Sequence, residues 1–185
     1  MAPAKILDVG TAQLQGDRPT QEDRYQCATP GTLFNPALGL FEVYDGHAGS
    51  DAVDHVKTHL TKLLEEQLRQ GDPLDYEGAL RATLKDEDSL LWKADVTHSG
   101  ATAVVALIDV ERGLLIGADI GDSHMILAER SGDDKAPWEF RRLTTTHKPD
   151  VPFEQDRIED AGGQTTTDSG GTVRIGKWET PNSRD

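Results

Sequence analysis

The sequence has 185 residues, 36% of them hydrophobic and 28% charged, which is enough for one globular domain with a buried core. Its formal net charge of −14 argues against nucleic acid or an anionic membrane as the main partner, because both are polyanions. No apolar run approaches a membrane span, and the N-terminus lacks a signal-peptide pattern. Cys27 is the only cysteine, so no disulfide can form within the chain and we expect a protein of a reducing compartment.

The first half of the chain predicts strands followed by two helices. The predicted strands are residues 5–14, 24–28 and 38–45. Apolar residues then recur every three or four positions from Val53 to Leu68, which predicts an amphipathic helix that ends near Gly71. The same spacing predicts a second helix over residues 76–94.

The third predicted strand carries apolar residues on both of its faces. With a period of two, Phe41, Val43 and Asp45 share one face, and Glu42 lies on the other. We expect the face that ends in Asp45 to point into the core, and Glu42 to point into solvent.

The second half is rich in predicted strands. These are residues 101–110, 114–122, 123–130 and 138–144. A short helix is predicted within residues 151–163, where the final glycines form a C-cap, and a mobile flap or loop is predicted from Gln164 onward. Because the helices are segregated from strands joined by tight turns, the pattern predicts an α+β fold with antiparallel sheets.

Acidic residues stand close to the end of the third strand and to the start of the second. Asp45, followed by Gly46, can offer a carboxylate and a backbone carbonyl to one cation. Glu22 and Asp23 add oxygen ligands, one of them acting through a water, and Arg18 can bind a phosphate. A set of oxygen ligands without thiolates favours Mg²⁺ or Mn²⁺ over zinc.

Two histidines on the first predicted helix have a spacing that zinc ligands can also have. His55 and His59 are four residues apart, but the segment HVKTH lacks the glutamate of the metalloprotease motif. We therefore predict that both histidines are polar residues at a helix interface.

Several motifs resemble one family in the same order along essentially the whole chain. GDRPTQED (16–23) and VYDGHAG (43–49) resemble the arginine-then-Glu-Asp motif and the signature of the metal-dependent protein serine/threonine phosphatases of type 2C, the PPM family. Further resemblances are SGATAVVALI (99–108), GADIGDSHMIL (117–127), LTTTHKPD (143–150) and RIEDAGG (157–163). The resemblance implies that residues 1–185 are the N-terminal part of a single phosphatase domain, with a flap-like segment at about 150–185.

The resemblance implies an α+β fold in the form of a layered α-β-β-α sandwich, with two antiparallel sheets and flanking helices, and a site for two Mg²⁺ or Mn²⁺ ions. Asp45 would bridge both ions, Gly46 would give its carbonyl to one of them, and Glu22 would bind the same ion. Asp23 would hold a metal-bound water.

The implied activity is hydrolysis of phosphoserine and phosphothreonine in proteins by a hydroxide that bridges the two ions. Arg18 would bind the substrate phosphate, and His47 would be the general acid that protonates the leaving oxygen. The expected partners are phosphorylated proteins, with no nucleic acid and no membrane, and the complete enzyme would be a monomer of the cytoplasm, the nucleus or both. Residues 121–123 would form a structural turn in which Asp122 bonds backbone amides.

Two departures from the family pattern bear on activity. Thr146 stands where the family has an aspartate that is associated with a third metal site, and the family's later Asp-Gly and Asp-Asn motifs have no counterpart before Asp185. We therefore expect the chain alone to be inactive. The alternatives are a catalytically silent module that binds phosphorylated partners through the Arg18 pocket, and a scaffold without a site.

Overall fold

The computed structural model describes residues 4–6, 8–133 and 135–176, and these form two compact units, one up to Thr144 and one from Thr145 onward. The elements of the first unit are β1 (Arg24–Ala28), β2 (Leu38–Tyr44), β3 (Gly46–His47), α1 (Asp51–Gln70), α2 (Tyr76–Lys93), β4 (Gly100–Ala101), β5 (Ala103–Asp109), β6 (Leu114–Ile120), β7 (Ile126–Glu129) and β8 (Glu139–Arg142). The elements of the second unit are α3 (Pro152–Asp160), β9 (Thr165–Thr167) and β10 (Val173–Ile175). The prediction of a mixed fold with antiparallel sheets is confirmed.

The main sheet of the first unit has four antiparallel strands in the order β1-β2-β5-β6. The turn between β5 and β6 is organised by Asp109, whose Oδ1 accepts hydrogen bonds from the backbone N–H groups of Glu111 and Arg112. The other carboxylate oxygen accepts from the hydroxyl of Tyr76 at 2.7 Å, which ties the start of α2 to the sheet. Burial alone would raise the pKa of Asp109, but the hydrogen bonds from Tyr76 and Arg112 outweigh burial and lower it.

Helices α1 and α2 cover one face of this sheet. The apolar stripe predicted along α1 is buried, and Tyr76 and Leu80 of α2 are buried beside it. The buried apolar side chains of the sheet include Leu38, Leu40 and Leu107. Burying apolar surface stabilises the folded state by about 25 cal/mol per Å². This layer is therefore the main source of stability in the first unit.

The predicted orientation of β2 is wrong. Leu40, Glu42 and Tyr44 point into the core beneath the helices, whereas Val43 is 53% exposed and Asp45 is also exposed. Because both faces of β2 carry apolar residues, the period of two cannot tell which face the helices cover. Glu42, expected in solvent, is only 1% exposed.

The predicted strand over residues 5–14 is also wrong for the described residues of that segment. Ala4 donates a backbone hydrogen bond to Val110 at 2.8 Å, but no ladder follows. Residues 10–14 are exposed, and Leu14 is 88% exposed, so the side chains at this end of the segment are not buried against the sheet.

The second unit contains the short helix that the sequence predicted. Pro152 occupies its first turn, and Gly162 follows its end with a φ of +81°, as expected for a C-cap glycine. Buried Glu154 interacts with His147 at 2.7 Å and accepts a hydrogen bond from Arg157 at 2.9 Å. The segment from Gln164 was predicted as a loop, but β9 and β10 pair as an antiparallel hairpin. Residues 177–185 of the predicted flap lie outside the described residues.

No helix in the described part of the chain combines the length and the apolar character needed to cross a membrane.

Candidate metal and phosphate site

A cavity of about 400 Å³ lies between the loop that precedes β1 and the chain that follows β2. Every residue that the sequence predicted for the site lines it: Arg18, Glu22, Asp23, Asp45, Gly46 and His47. Residues that are more than twenty positions apart in the chain therefore meet at one place in the first unit.

The backbone of Asp45 is held on both sides by one threonine. Its N–H donates to Thr102 Oγ1 at 3.2 Å, and its carbonyl accepts from the Thr102 N–H at 2.9 Å. The hydroxyl of Thr102 lies 2.6 Å from that of Ser123, which holds it in place. Thr102 thus fixes the direction in which the Asp45 side chain leaves the end of β2.

Although Asp45 as a whole residue is exposed, partial desolvation of its carboxyl group raises its pKa, as do the nearby carboxylates of Asp23 and Asp122, against the opposing effects of His47 and Arg18. The charges of Asp23 and Asp122 therefore disfavour the ionised form of Asp45. A divalent cation would turn this repulsion into attraction. Carboxylate oxygens are also the ligands that Mg²⁺ and Mn²⁺ prefer, so the residues present fit a hard cation.

Gly46 is required by the close approach of two backbone segments. A Cβ atom at this position would lie 2.4 Å from the carbonyl oxygen of Glu22 and 3.0 Å from Cγ1 of Val53. Only glycine lets the backbone around Glu22 come this near the end of β2. The predicted role of Gly46 as a carbonyl ligand stays a prediction.

His47 lies in a two-residue strand that pairs with β4. Its ring lies against Gly100, where an added Cβ would come within 2.6 Å of Nε2, so the absence of a side chain at Gly100 makes room for the imidazole. The chain then turns sharply, because Ala48 and Gly49 have φ angles of +59° and +122°. A positive φ at a residue other than glycine is strained, and such strain is common beside functional side chains.

Glu22 and Asp23 both precede β1 rather than lying on a straight strand. Thr20 donates a hydrogen bond to Glu22 Oε1 at 3.0 Å, and the N–H of Asp23 donates to the side chain of Gln21 at 2.9 Å. Because these residues lie outside a regular strand, they need not face opposite ways, and both line the same cavity. The side chain of Arg18 is exposed at the edge of the same loop.

Sequence reasoning missed two residues of this site. Asp122 was expected to act in a turn, and its charge also raises the pKa of the Asp45 carboxyl; Thr102 was not singled out although it holds the Asp45 backbone. Both residues lie in segments that resemble the family motifs, so those motifs are the sequence feature that could have pointed to them. His55 and His59 are not among the residues that line this cavity.

The comparisons with known proteins agree with one another. The family model described as "Protein phosphatase 2C" matches residues 7–175. A rice protein named "Probable protein phosphatase 2C 59" is 36% identical over 171 residues, which cover 90% of this chain and 48% of the relative. "Protein phosphatase fem-2" of Caenorhabditis elegans is 32% identical over 176 residues, covering 91% of this chain and 37% of the relative.

Solved structures give the same result. The structure described as that of a C. elegans sex-determining protein superposes with a TM-score of 0.74 at 32% identity and covers 89% of this chain and 40% of that one. A serine-threonine phosphatase 2C from Toxoplasma gondii shares the fold, with a TM-score of 0.63 at 22% identity. This chain spans about half or less of the length of the two curated relatives described above. The family model nevertheless matches most of the chain, which therefore belongs to the protein phosphatase 2C family.

Proposed function

We propose that the protein carrying this chain hydrolyses phosphoserine and phosphothreonine in other proteins. The observation that carries the proposal is the meeting of three acidic residues, Glu22, Asp23 and Asp45, with Arg18 and His47 around one cavity. Relatives named as protein phosphatases support the reaction class. A phosphate ester needs both positive charge to bind it and a proton donor to release the alcohol, and these residue types supply both functions.

We further propose that Mg²⁺ or Mn²⁺ ions are held by Asp45, the Gly46 carbonyl and Glu22, with Asp23 orienting a water beside them. When bound, such ions lower the pKa of water and so supply a nucleophile at neutral pH. Asp45 would serve both ions, and its backbone contacts with Thr102 would keep the carboxylate in one orientation. The close approach of the Glu22 and Gly46 segments would bring their ligands to the same place.

Arg18 and His47 would act on the substrate. The guanidinium of Arg18 can form charge-assisted hydrogen bonds to two phosphate oxygens, which orients the phosphoryl group. The imidazole of His47 would protonate the serine or threonine oxygen as it leaves, because an alkoxide is a poor leaving group at neutral pH. The site would therefore divide the work between binding by Arg18 and proton transfer by His47.

Both units would belong to the N-terminal part of one catalytic domain, because the family model extends across both. That domain would have the layered α-β-β-α sandwich of two antiparallel sheets. The substrates would be phosphorylated proteins, the complete enzyme a monomer, and its location the cytoplasm, the nucleus or both. The excess of acidic residues supports a protein partner over nucleic acid.

The test measures phosphate release from a phosphothreonine peptide by the protein carrying this chain, with Mn²⁺ and with a chelator. We expect turnover only with the metal, and a loss of more than about a hundred-fold in Asp45→Asn, because one ligand serves both ions. Asp88→Asn, which changes an exposed aspartate of α2, is the matched control and should stay active. Peptide binding without turnover would favour the silent phosphopeptide-binding module. Full activity of Asp45→Asn would contradict the assignment of Asp45.

A further inference from the structure

A second group of possible metal ligands lies between α1 and α2. His55 and His59, on one face of α1, meet Glu87 of α2, and one ligand atom from each lies within 4.8 Å of the other two. The two imidazole rings have centroids 4.1 Å apart. The histidines are partly buried and Glu87 is buried, so these groups are held by packing and are not loose on the surface.

The hydrogen bonds of the two histidines orient their rings. Nδ1 of His59 lies 2.8 Å from the backbone carbonyl oxygen of His55. A carbonyl oxygen can only accept, so Nδ1 carries the proton and the neutral ring keeps its lone pair on Nε2. Metal-binding histidines commonly donate their other ring N–H in this way, because the hydrogen bond fixes the tautomer and the ring orientation.

Glu87 brings negative charge to the same place. Its Oε1 lies 2.7 Å from Nδ1 of His55. Its Oε2 is buried and has no hydrogen-bond partner within the described ranges. A buried carboxylate oxygen without a partner is unfavourable, and a cation between α1 and α2 would satisfy it.

We propose that His55, His59 and Glu87 bind a transition-metal ion, Zn²⁺ being the best match, and that the ion joins α1 to α2. Two imidazoles and one carboxylate suit zinc, whereas Mg²⁺ and Mn²⁺ prefer oxygen ligands alone. Ligand atoms at about 2.0–2.1 Å from a tetrahedral zinc ion are about 3.4 Å apart, so ligand atoms that now lie within 4.8 Å of one another need to approach by up to about 1.4 Å, which side-chain rotations can supply. With three protein ligands, the fourth position would hold water.

This site is chemically distinct from the cavity around Asp45. None of its three residues lines that cavity, and two of its three donors are imidazoles, whereas the ligands proposed around Asp45 are oxygen atoms. The expected role of the ion is structural, because it would connect two helices that pack side by side on the sheet. Metal binding at the helix pair does not depend on phosphatase activity.

The experiment titrates the chain with Zn²⁺ and with Co²⁺ in the presence of excess Mg²⁺, which occupies oxygen-only sites. We expect binding of one Zn²⁺ ion, visible absorption bands of four-coordinate Co²⁺, and a rise of about 5–10 °C in melting temperature when free Zn²⁺ is a hundred times the Kd. His59→Gln should weaken Zn²⁺ binding at least about ten-fold. It leaves the contact between His55 and Glu87 in place, so the variant should fold.

His98→Gln is the matched control, because His98 is exposed and lies outside this group. It should bind Zn²⁺ as the parent chain does, and so should Asp45→Asn. Equal Zn²⁺ affinity in His59→Gln and the parent chain would overturn the proposal. Loss of binding in Asp45→Asn alone would place the ion in the other cavity and overturn it as well.

Discussion

Glu42 is an acidic residue inside the apolar layer between the sheet and the helices. Its Oε2 accepts a hydrogen bond from Thr61 at 3.0 Å, and Thr61 in turn accepts one from Gln26 at 2.7 Å. Burial raises the pKa of Glu42 to about 7, although the hydrogen bond from Thr61 and the nearby Tyr44 hydroxyl partly oppose the shift. Near neutral pH the residue therefore changes between a neutral and a charged form in the core.

This raised pKa makes stability depend on pH. The folded chain holds the Glu42 proton more tightly than the unfolded chain, whose pKa is about 4.5. The resulting stabilisation is fully present below pH 4.5 and is lost as the pH rises through 7. The free energy of unfolding should therefore fall by up to about 3 kcal/mol from this residue alone.

Glu42→Gln should remove this dependence and make the chain more stable than the parent at pH 8, because an amide cannot ionise. Urea unfolding between pH 5 and pH 8.5 measures the free energy of unfolding of both chains. Glu66→Gln, on the exposed side of α1, is the matched control. A weaker dependence should remain, since burial also raises the pKa of Glu87. If Glu42→Gln and the parent lose stability in parallel, Glu42 does not titrate in this range.

His47→Gln tests proton transfer at the candidate site. If His47 protonates the leaving oxygen, kcat should fall by about 10²–10⁴ on a phosphothreonine peptide and far less on nitrophenyl phosphate, whose leaving group needs no proton. Steady-state assays of both substrates in the protein carrying this chain give the comparison. His98→Gln serves as the control. Equal losses on the two substrates would assign His47 a role in positioning or metal binding instead.

At the scale of the elements, the periodicity of apolar residues predicted those features that depend on residues near one another in the sequence. Both long helices were predicted because their apolar residues repeat every three or four positions and are buried on one side. Which face of β2 points into the core could not be predicted in the same way. It depends on where α1 and α2 pack, and that packing joins residues far apart in the chain.

The residues of the candidate site divide in the same way, into those that local sequence identifies and those that long-range packing brings together. Asp45, Gly46 and His47 were found because they are adjacent in one motif at the end of a predicted strand. Thr102 and Asp122 could not be placed beside them by spacing alone, because they lie more than fifty residues further along the chain. The pairing of β2 with β5 and of β5 with β6 brings them near, and long-range strand pairing is not encoded in local propensity.

At the scale of the whole first unit, the sheet is covered by helices on one face only. The opposite face carries exposed apolar side chains, among them Tyr25, Val43 and Leu115, which are 39%, 53% and 40% exposed. Leu115 lies on β6, a strand at the edge of the sheet. An exposed apolar face beside an open edge favours association between copies of a chain.

Leu115→Lys should therefore reduce self-association of the chain, because a lysine at this position places a charge on the apolar face and on the edge strand together. Sedimentation velocity across a concentration series measures the effect, and the parent chain should show a larger rise in average mass with concentration. Leu74→Lys is the matched control, since Leu74 is 55% exposed but lies in the connection between α1 and α2. Equal suppression by both variants would attribute the effect to net charge, and the sheet face would then not be the contact surface.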